Sequence, residues 1–172
     1  AEANLNLAML YQASGRGDKV EAQLRTALLR DPDFFPALVT LAQWLEANGR
    51  SQEARTLIAD NLKQHPEAAL LQHTQGLMLI RAGDTANAMP HLREAARLEP
   101  ANPQYNYVLA VALHDSGHVD QACEQLEKLL ALQPYNRNAR LSLIQYYLEN
   151  GKEPKAQVAM QSWKKLNPGD PA

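Results

Sequence analysis

The sequence predicts an all-α protein built as a tandem array of five helix pairs. Two ladders carry that prediction. Proline recurs at Pro32, Pro66, Pro100, Pro134 and Pro168, and glycine at Gly15, Gly49, Gly83, Gly117 and Gly151. Both ladders advance by 34 residues without insertion or deletion. They take half of the ten prolines and five of the eight glycines, too many for coincidence. A repeating period of this length is the mark of stacked supersecondary units.

The clearest copy is 35–68, FPALVTLAQWLEANGRSQEARTLIADNLKQHPEA. It reads as two amphipathic helices broken at Asn48-Gly49 and stopped at His65-Pro66. Glycine enters the left-handed conformation that ends a helix and opens a tight turn. Proline cannot continue a helix and drives the residue before it out of helical geometry. Each copy is therefore helix, glycine turn, helix, proline stop. First helices are expected at about 2–14, 36–48, 70–82, 104–116 and 138–150. Second helices are expected at about 18–30, 52–64, 86–98, 120–132 and 154–166. Pro90 falls inside one of these and is tolerated only if that helix starts late; otherwise it kinks the helix.

The apolar columns agree. On the first helices Leu7, Leu41, Gln75, Leu109 and Leu143 share a phase. Tyr11, Leu45, Leu79, Leu113 and Tyr147 follow four residues later on the same face. Between them runs a mostly small column, Ala8, Ala42, Gly76, Ala110 and Ile144, which lets helices approach closely. On the second helices Val20, Ala54, Ala88, Ala122 and Ala156 form another. Leu24, Ile58, Leu92, Leu126 and Met160 follow it.

This pattern resembles the tetratricopeptide repeat family over essentially the whole chain, as repeats 1–34, 35–68, 69–102, 103–136 and 137–170. The resemblance implies an α-solenoid of about ten helices coiled into a right-handed superhelix, first helices on the concave side. The sequence departs from the family where tryptophan is common early in the first helix. That column reads Asn4, Leu38, Gln72, Asn106 and Arg140. Late in the last second helix, Trp163 and Lys164 replace mostly smaller and apolar residues, as expected where an outer face meets water. Gly169-Asp170-Pro171 then follows. The chain opens with Ala1 inside a helical pattern and is expected to be a mature chain or an excised piece of something longer; Leu10, on a face that a preceding element would normally cover, makes the first end read as cut.

Composition bounds the function. Hydrophobic residues make up 45% and charged residues 21%, normal for a folded soluble chain. The formal net charge of −2 provides no field for nucleic acid or anionic membrane. No apolar run reaches the 18 or so residues of a membrane span, so no membrane insertion is expected. A single cysteine, Cys123, excludes an internal disulfide framework but leaves bacterial cytoplasm and periplasm both open.

Catalytic signatures are absent: there is no nucleotide-binding glycine loop, nucleophile elbow or haem-attachment CxxCH. His114 and His118 stand four apart with Cys123 nearby, but Gly117 breaks the helix between them, so the rings need not share a face. No metal, no cofactor and no enzymatic activity are expected.

The expected site is a groove for a protein or peptide segment. One inward column is Leu5, Val39, His73, Tyr107 and Leu141; a second is Met9, Gln43, Leu77, Val111 and Gln145. A third contributes Ile80 and His114, with Glu46 and Leu148 in the same phase and Arg81 beside it. Apolar and neutral polar groups in strips suit an extended peptide or an amphipathic helix. In the family, chaperone-binding members clamp a carboxylate with Lys, Asn and Arg on first helices. Here the first helices contain no lysine, so that ligand is not expected. A further reading is an accessory arm of a larger bacterial enzyme. The run NYVLAVALHDSGHVDQA looks like repeat tails of multihaem cytochromes. Another reading is self-association through the end helices.

Overall fold

The structure is a computed structural model describing residues 1–166. Its described residues form ten α-helices and no strand. They divide into two compact units, the first Ala1–Ala82 and the second starting at Gly83. The division falls between the two helices of the third repeat. Gly169-Asp170-Pro171 lies outside the described residues.

The first unit holds α1 (Glu2–Ala13), α2 (Gly17–Arg30), α3 (Phe35–Ala47), α4 (Ser51–Gln64) and α5 (Ala69–Arg81). Helices α1 to α4 each pack on the next helix of the unit, and α3 also packs on α1 and α5. The second unit holds α6 (Thr85–Leu98), α7 (Pro103–Asp115), α8 (Val119–Leu132), α9 (Arg137–Glu149) and α10 (Glu153–Leu166), again packed in sequence. All ten helices match the expected ones to within a residue at each end.

The glycine turns have one geometry. In the first, Gly15 takes φ +73°. The Arg16 N–H donates to the Tyr11 carbonyl at 2.9 Å and the Gly15 N–H to the Gln12 carbonyl at 3.2 Å. These paired bonds satisfy carbonyls that the helix end would otherwise leave open. The same pair recurs after α3, α7 and α9, through Arg50, His118 and Lys152.

The proline stops are equally regular. Asp31, His65, Glu99 and Gln133 each precede a ladder proline and leave the helix at φ between −126° and −149°. In the second unit side chains also cap the helix starts. Asp84 accepts from the Asn87 N–H, Asn102 from those of Gln104 and Tyr105, and Asn136 from that of Ala139.

Pro90 corrects one expectation. Helix α6 does not start late: it begins at Thr85, with Pro90 as its sixth residue. Pro90 and Ala86 are both exposed. The carbonyl deprived of its partner therefore lies on a solvated side of the helix, where water can replace the missing N–H.

The small and apolar columns form the core. Val20, Leu24, Ala42, Leu45, Ala54 and Ile58 are fully or almost fully buried in the first unit. Ala88, Leu92, Ala110, Leu113, Ala122 and Leu126 are their counterparts in the second. Each buried leucine or isoleucine contributes roughly 1.5–3 kcal/mol of transfer free energy. Trp163 is buried as well, and Lys164 beside it is exposed.

The column where tryptophan was missing has another role. The Gln72 amide donates to the Pro66 carbonyl at 2.7 Å. Asn106 donates to Pro100 at 2.9 Å, and the Arg140 guanidinium to Pro134 at 3.3 Å. All three side chains are buried. A donor six residues after the proline thus fastens each of these stops to the helix that follows. In the second repeat this position is Leu38, which offers no donor and is buried in the core instead.

Candidate functional site

In the first unit the face of α1, α3 and α5 carries the expected residues in mixed states. Met9 is 55% exposed, and Gln43 and Arg81 are also exposed. Leu5, Leu77 and Ile80 are half-buried. Arg81 reaches Glu46 of α3 at 2.7 Å, an exposed ion pair that fixes the rim more than it stabilises the fold. Two expected residues are corrected: Val39 is only 9% exposed and His73 only 6%. They pack into the protein and present little surface to a ligand. Burial also holds the His73 imidazole below its ordinary pKa, so it is a neutral packing group. The column of Leu5 thus turns inward as it passes α3 and α5.

In the second unit the face of α7 and α9 is more elaborate. The Tyr107 hydroxyl and Ser142 hydroxyl are hydrogen-bonded at 3.0 Å. Further along the same face, His114 stacks flat on Tyr146, ring centroids 3.9 Å apart and planes inclined by 8°. His114 Nε2 meets a Glu149 carboxylate oxygen at 2.6 Å and Nδ1 meets Asp115 at 3.1 Å. Burial, the largest single influence, lowers the His114 pKa, but the hydrogen bonds and negative charges of Glu149 and Asp115 together outweigh it and raise the value. Glu149 is held low, first by the Gln145 amide, which donates to it at 2.8 Å, and then by His114. Burial pushes the Tyr146 phenol up to about 12, so it stays neutral under the stacked ring.

Around this cluster the face is apolar. Leu141 is 39% exposed and Leu148 50%; Val111 and Tyr107 are half-buried, and Gln145 is exposed. Sequence reasoning missed Tyr146 and Glu149. Both stand within four residues of Gln145, but their contact with His114 joins helices one repeat apart, and no spacing within α9 signals it.

Among the described residues no group of three His, Cys, Asp or Glu side chains is assembled to hold a metal. His118 caps the start of α8 and is exposed, while His114 is engaged on α7. Cys123 is buried, and burial pushes its thiol up, away from reactivity. No helix among the described residues is long and apolar enough to cross a membrane.

Comparison with known proteins gives a consistent result. Family models described as "Tetratricopeptide repeat" match residues 1–26, 39–103, 79–129 and 113–172. The chain is 34% identical over 131 residues to "Cellulose synthase 1 operon protein C" of Komagataeibacter xylinus, covering 75% of this chain and 10% of that protein. It is 32% identical over 129 residues to "Cellulose synthase operon protein C" of Xanthomonas axonopodis pv. citri (strain 306), covering 70% and 9%. The chain thus spans about a tenth of the length of these relatives. Among solved structures, MamA from Desulfovibrio magneticus RS-1 superposes with a TM-score of 0.75 at 17% identity, over 99% of this chain and 97% of that one. YrrB, described as "a TPR protein with an unusual peptide-binding site", gives 0.70 at 19% identity, over 96% and 86%. These likenesses concern the fold. With its two ladders, its repeated turns and models that match more than half of its length, the chain belongs to the tetratricopeptide repeat family.

Proposed function

We propose that the chain is a non-enzymatic interaction module that captures a protein or peptide segment on the faces of its first helices. The observation that carries this reading is the exposure of Met9, Leu141 and Leu148 on ordered helices, beside the uncharged polar Gln43 and Gln145. Large apolar side chains held in water on a rigid element are available as anchor sites. Because the helices are already ordered, binding mainly orders the ligand, which lowers the entropic penalty. A ligand with leucine-like side chains at helical or alternating spacing fits such anchors on the face of either unit. Near α9 the carboxylates of Asp115 and Glu149 favour a ligand that carries a cationic side chain after its apolar anchors. The peptide-binding description of YrrB, a protein of similar fold, supports the same class of ligand.

The test is selection from a displayed random peptide library on the intact chain, followed by affinity measurement of the enriched sequences. Leu141→Glu combined with Leu148→Glu should weaken binding by about a hundredfold, since each anchor contributes on the order of 1.5 kcal/mol. Unchanged affinity in a variant with wild-type circular dichroism would remove these faces from consideration.

A second reading is supported by the length of the relatives. The chain would be an accessory arm of a much longer bacterial protein, presenting the same faces to a partner. An antibody against this chain should then detect an endogenous species far larger than 19.1 kDa. A band at that mass alone sinks the arm reading.

A further inference from the structure

A cavity of about 440 Å³ opens between α6 and α8 of the second unit, with the buried Asn106 and Leu109 of α7 in its floor. That volume is within the range of small-ligand sites. Three of its lining side chains are cationic, Arg93, Arg97 and Lys128, and all three are exposed. No lining residue is acidic. Arg97 is neutralised by Glu94, which accepts from its Nε at 2.8 Å and from a terminal nitrogen at 2.6 Å. Arg93 donates instead to a neutral group, the Gln121 side-chain carbonyl, at 2.8 Å. Among the described residues no carboxylate pairs with Arg93 or with Lys128. Both cations are open to solvent and within reach of anything that enters the cavity.

The other repeats show that this charge imbalance is particular to the third and fourth. Arg25 occupies the position of Arg93 two repeats earlier, and donates to Glu21 and to Glu53 at 2.8 Å each. The positions of those two carboxylates are filled here by Met89 and Gln121. The Arg93–Gln121 bond has the same span of 28 residues as Arg25–Glu53, so the contact is kept and its negative charge is lost. The position of Lys128 carries Asp60 and Glu94 in the two preceding repeats. A carboxylate has thus become an amide on one wall, and another has become an ammonium. Like charges at one site repel, and their summed field favours an anion between them. A phosphomonoester carries nearly two negative charges at neutral pH and three acceptor oxygens. Those oxygens suit a guanidinium fork beside a point-like ammonium. A carboxylate or a sulfonate carries one charge and would balance half of the site. At the rim Leu132 is 59% exposed, and Pro100 is exposed as well, which gives a hydrocarbon body apolar surface to lie on.

We propose that this cavity binds a small organic phosphomonoester. Its phosphoryl oxygens accept from Arg93 and Lys128, and its hydrocarbon body lies against Pro100 and Leu132. Neither Leu141 nor Leu148 lines the cavity, so the site is separate from peptide capture on the first helices.

The test titrates nitrogen-15-labelled protein with four probes at about pH 7.5, where the monoester is dianionic. The probes are phenyl phosphate, benzenesulfonate, phenol and inorganic phosphate, and the backbone amides of α6 and α8 are followed. Phenyl phosphate should give saturable shifts around the cavity. Benzenesulfonate, of similar shape but one charge, should bind about tenfold more weakly, and phenol should not bind. Lys128→Gln should weaken phenyl phosphate binding by about tenfold, the loss of one charge-assisted hydrogen bond. Gln121→Glu removes no donor but restores to Arg93 the kind of partner that Arg25 has, and should also weaken binding by about tenfold. Both substitutions are at exposed positions, and circular dichroism checks that each variant is folded. Absence of a saturable shift with phenyl phosphate would overturn the proposal, as would benzenesulfonate or phenol binding as tightly. So would full binding by folded Lys128→Gln or Gln121→Glu. Inorganic phosphate binding as tightly as phenyl phosphate would mean an adventitious ion only, and would overturn it too.

Discussion

Two glycines two residues apart should respond in opposite directions to the same substitution. Gly15 closes the first turn at φ +73°, whereas Gly17 opens α2 in ordinary helical geometry. A Cβ added at either position meets no atom within 4 Å, so neither effect is steric crowding. At Gly15 an L-residue incurs about 1–2 kcal/mol for the left-handed backbone. Restricting the unfolded chain returns about 0.4–1 kcal/mol of that. Gly15→Ala should therefore destabilise the first helix pair by about 0.5–1.5 kcal/mol. Gly17→Ala keeps only the favourable part and should stabilise it by about 0.4–1 kcal/mol. Gly15→Asn should fall between wild type and Gly15→Ala, because asparagine tolerates the left-handed region. Repeat arrays open locally, so the assay is amide hydrogen exchange in α1 and α2, with urea unfolding followed by circular dichroism as a global control. Shifts of the same sign for Gly15→Ala and Gly17→Ala would refute the backbone argument, and so would Gly15→Asn being worse than Gly15→Ala.

The proline fastening and the stacked histidine can be tested in the same way. Asn106→Ala leaves the Pro100 carbonyl and the Gln125 amide without their partner and should cost about 1–3 kcal/mol in urea unfolding. Asn106→Gln retains a donor, as Gln72 does in the repeat before, and should restore part of that loss; no difference between the two variants would dismiss the fastening. For His114 the folded pKa lies above the ordinary value of 6.5. The stability it adds is fully present below that value and is lost as pH rises through the folded pKa. Its partner Glu149 is depressed, so its share is lost only as pH falls through its own folded value. Wild type should thus exceed His114→Gln in stability by more at about pH 5.5 than at about pH 8. An advantage independent of pH would mean that stacking on Tyr146, not charge, holds the ring.

What could be read in advance followed from how local each feature is. The helices were legible because each is bounded by its own glycine turn or proline stop within a few residues. The core columns were legible because helical periodicity puts them on one face. Val39 and His73 were misplaced because the boundary between inward packing and open surface depends on how neighbouring helices lean, and a column of one phase crosses it. The stack of His114 on Tyr146 joins two helices one repeat apart, so no spacing within either helix announces it. The fastening of the prolines was visible in outline. Gln72, Asn106 and Arg140 were seen as departures from a tryptophan column, but their distance of six residues from the preceding proline is what identifies their role. Pro90 escaped because a rule about helix interiors says nothing of whether the affected carbonyl faces water.

The fastened proline stop bears on how such a chain is inherited. Proline and donor lie within one stretch of seven residues, and the paired turn bonds lie within six. Loss or duplication of a whole 34-residue block by recombination therefore leaves each fastened stop with its own donor and every turn with its own glycine. Gene length can then vary in steps without disturbing local structure. Selection is left to act on the side chains that differ between copies, among them Arg140 in place of a neutral amide.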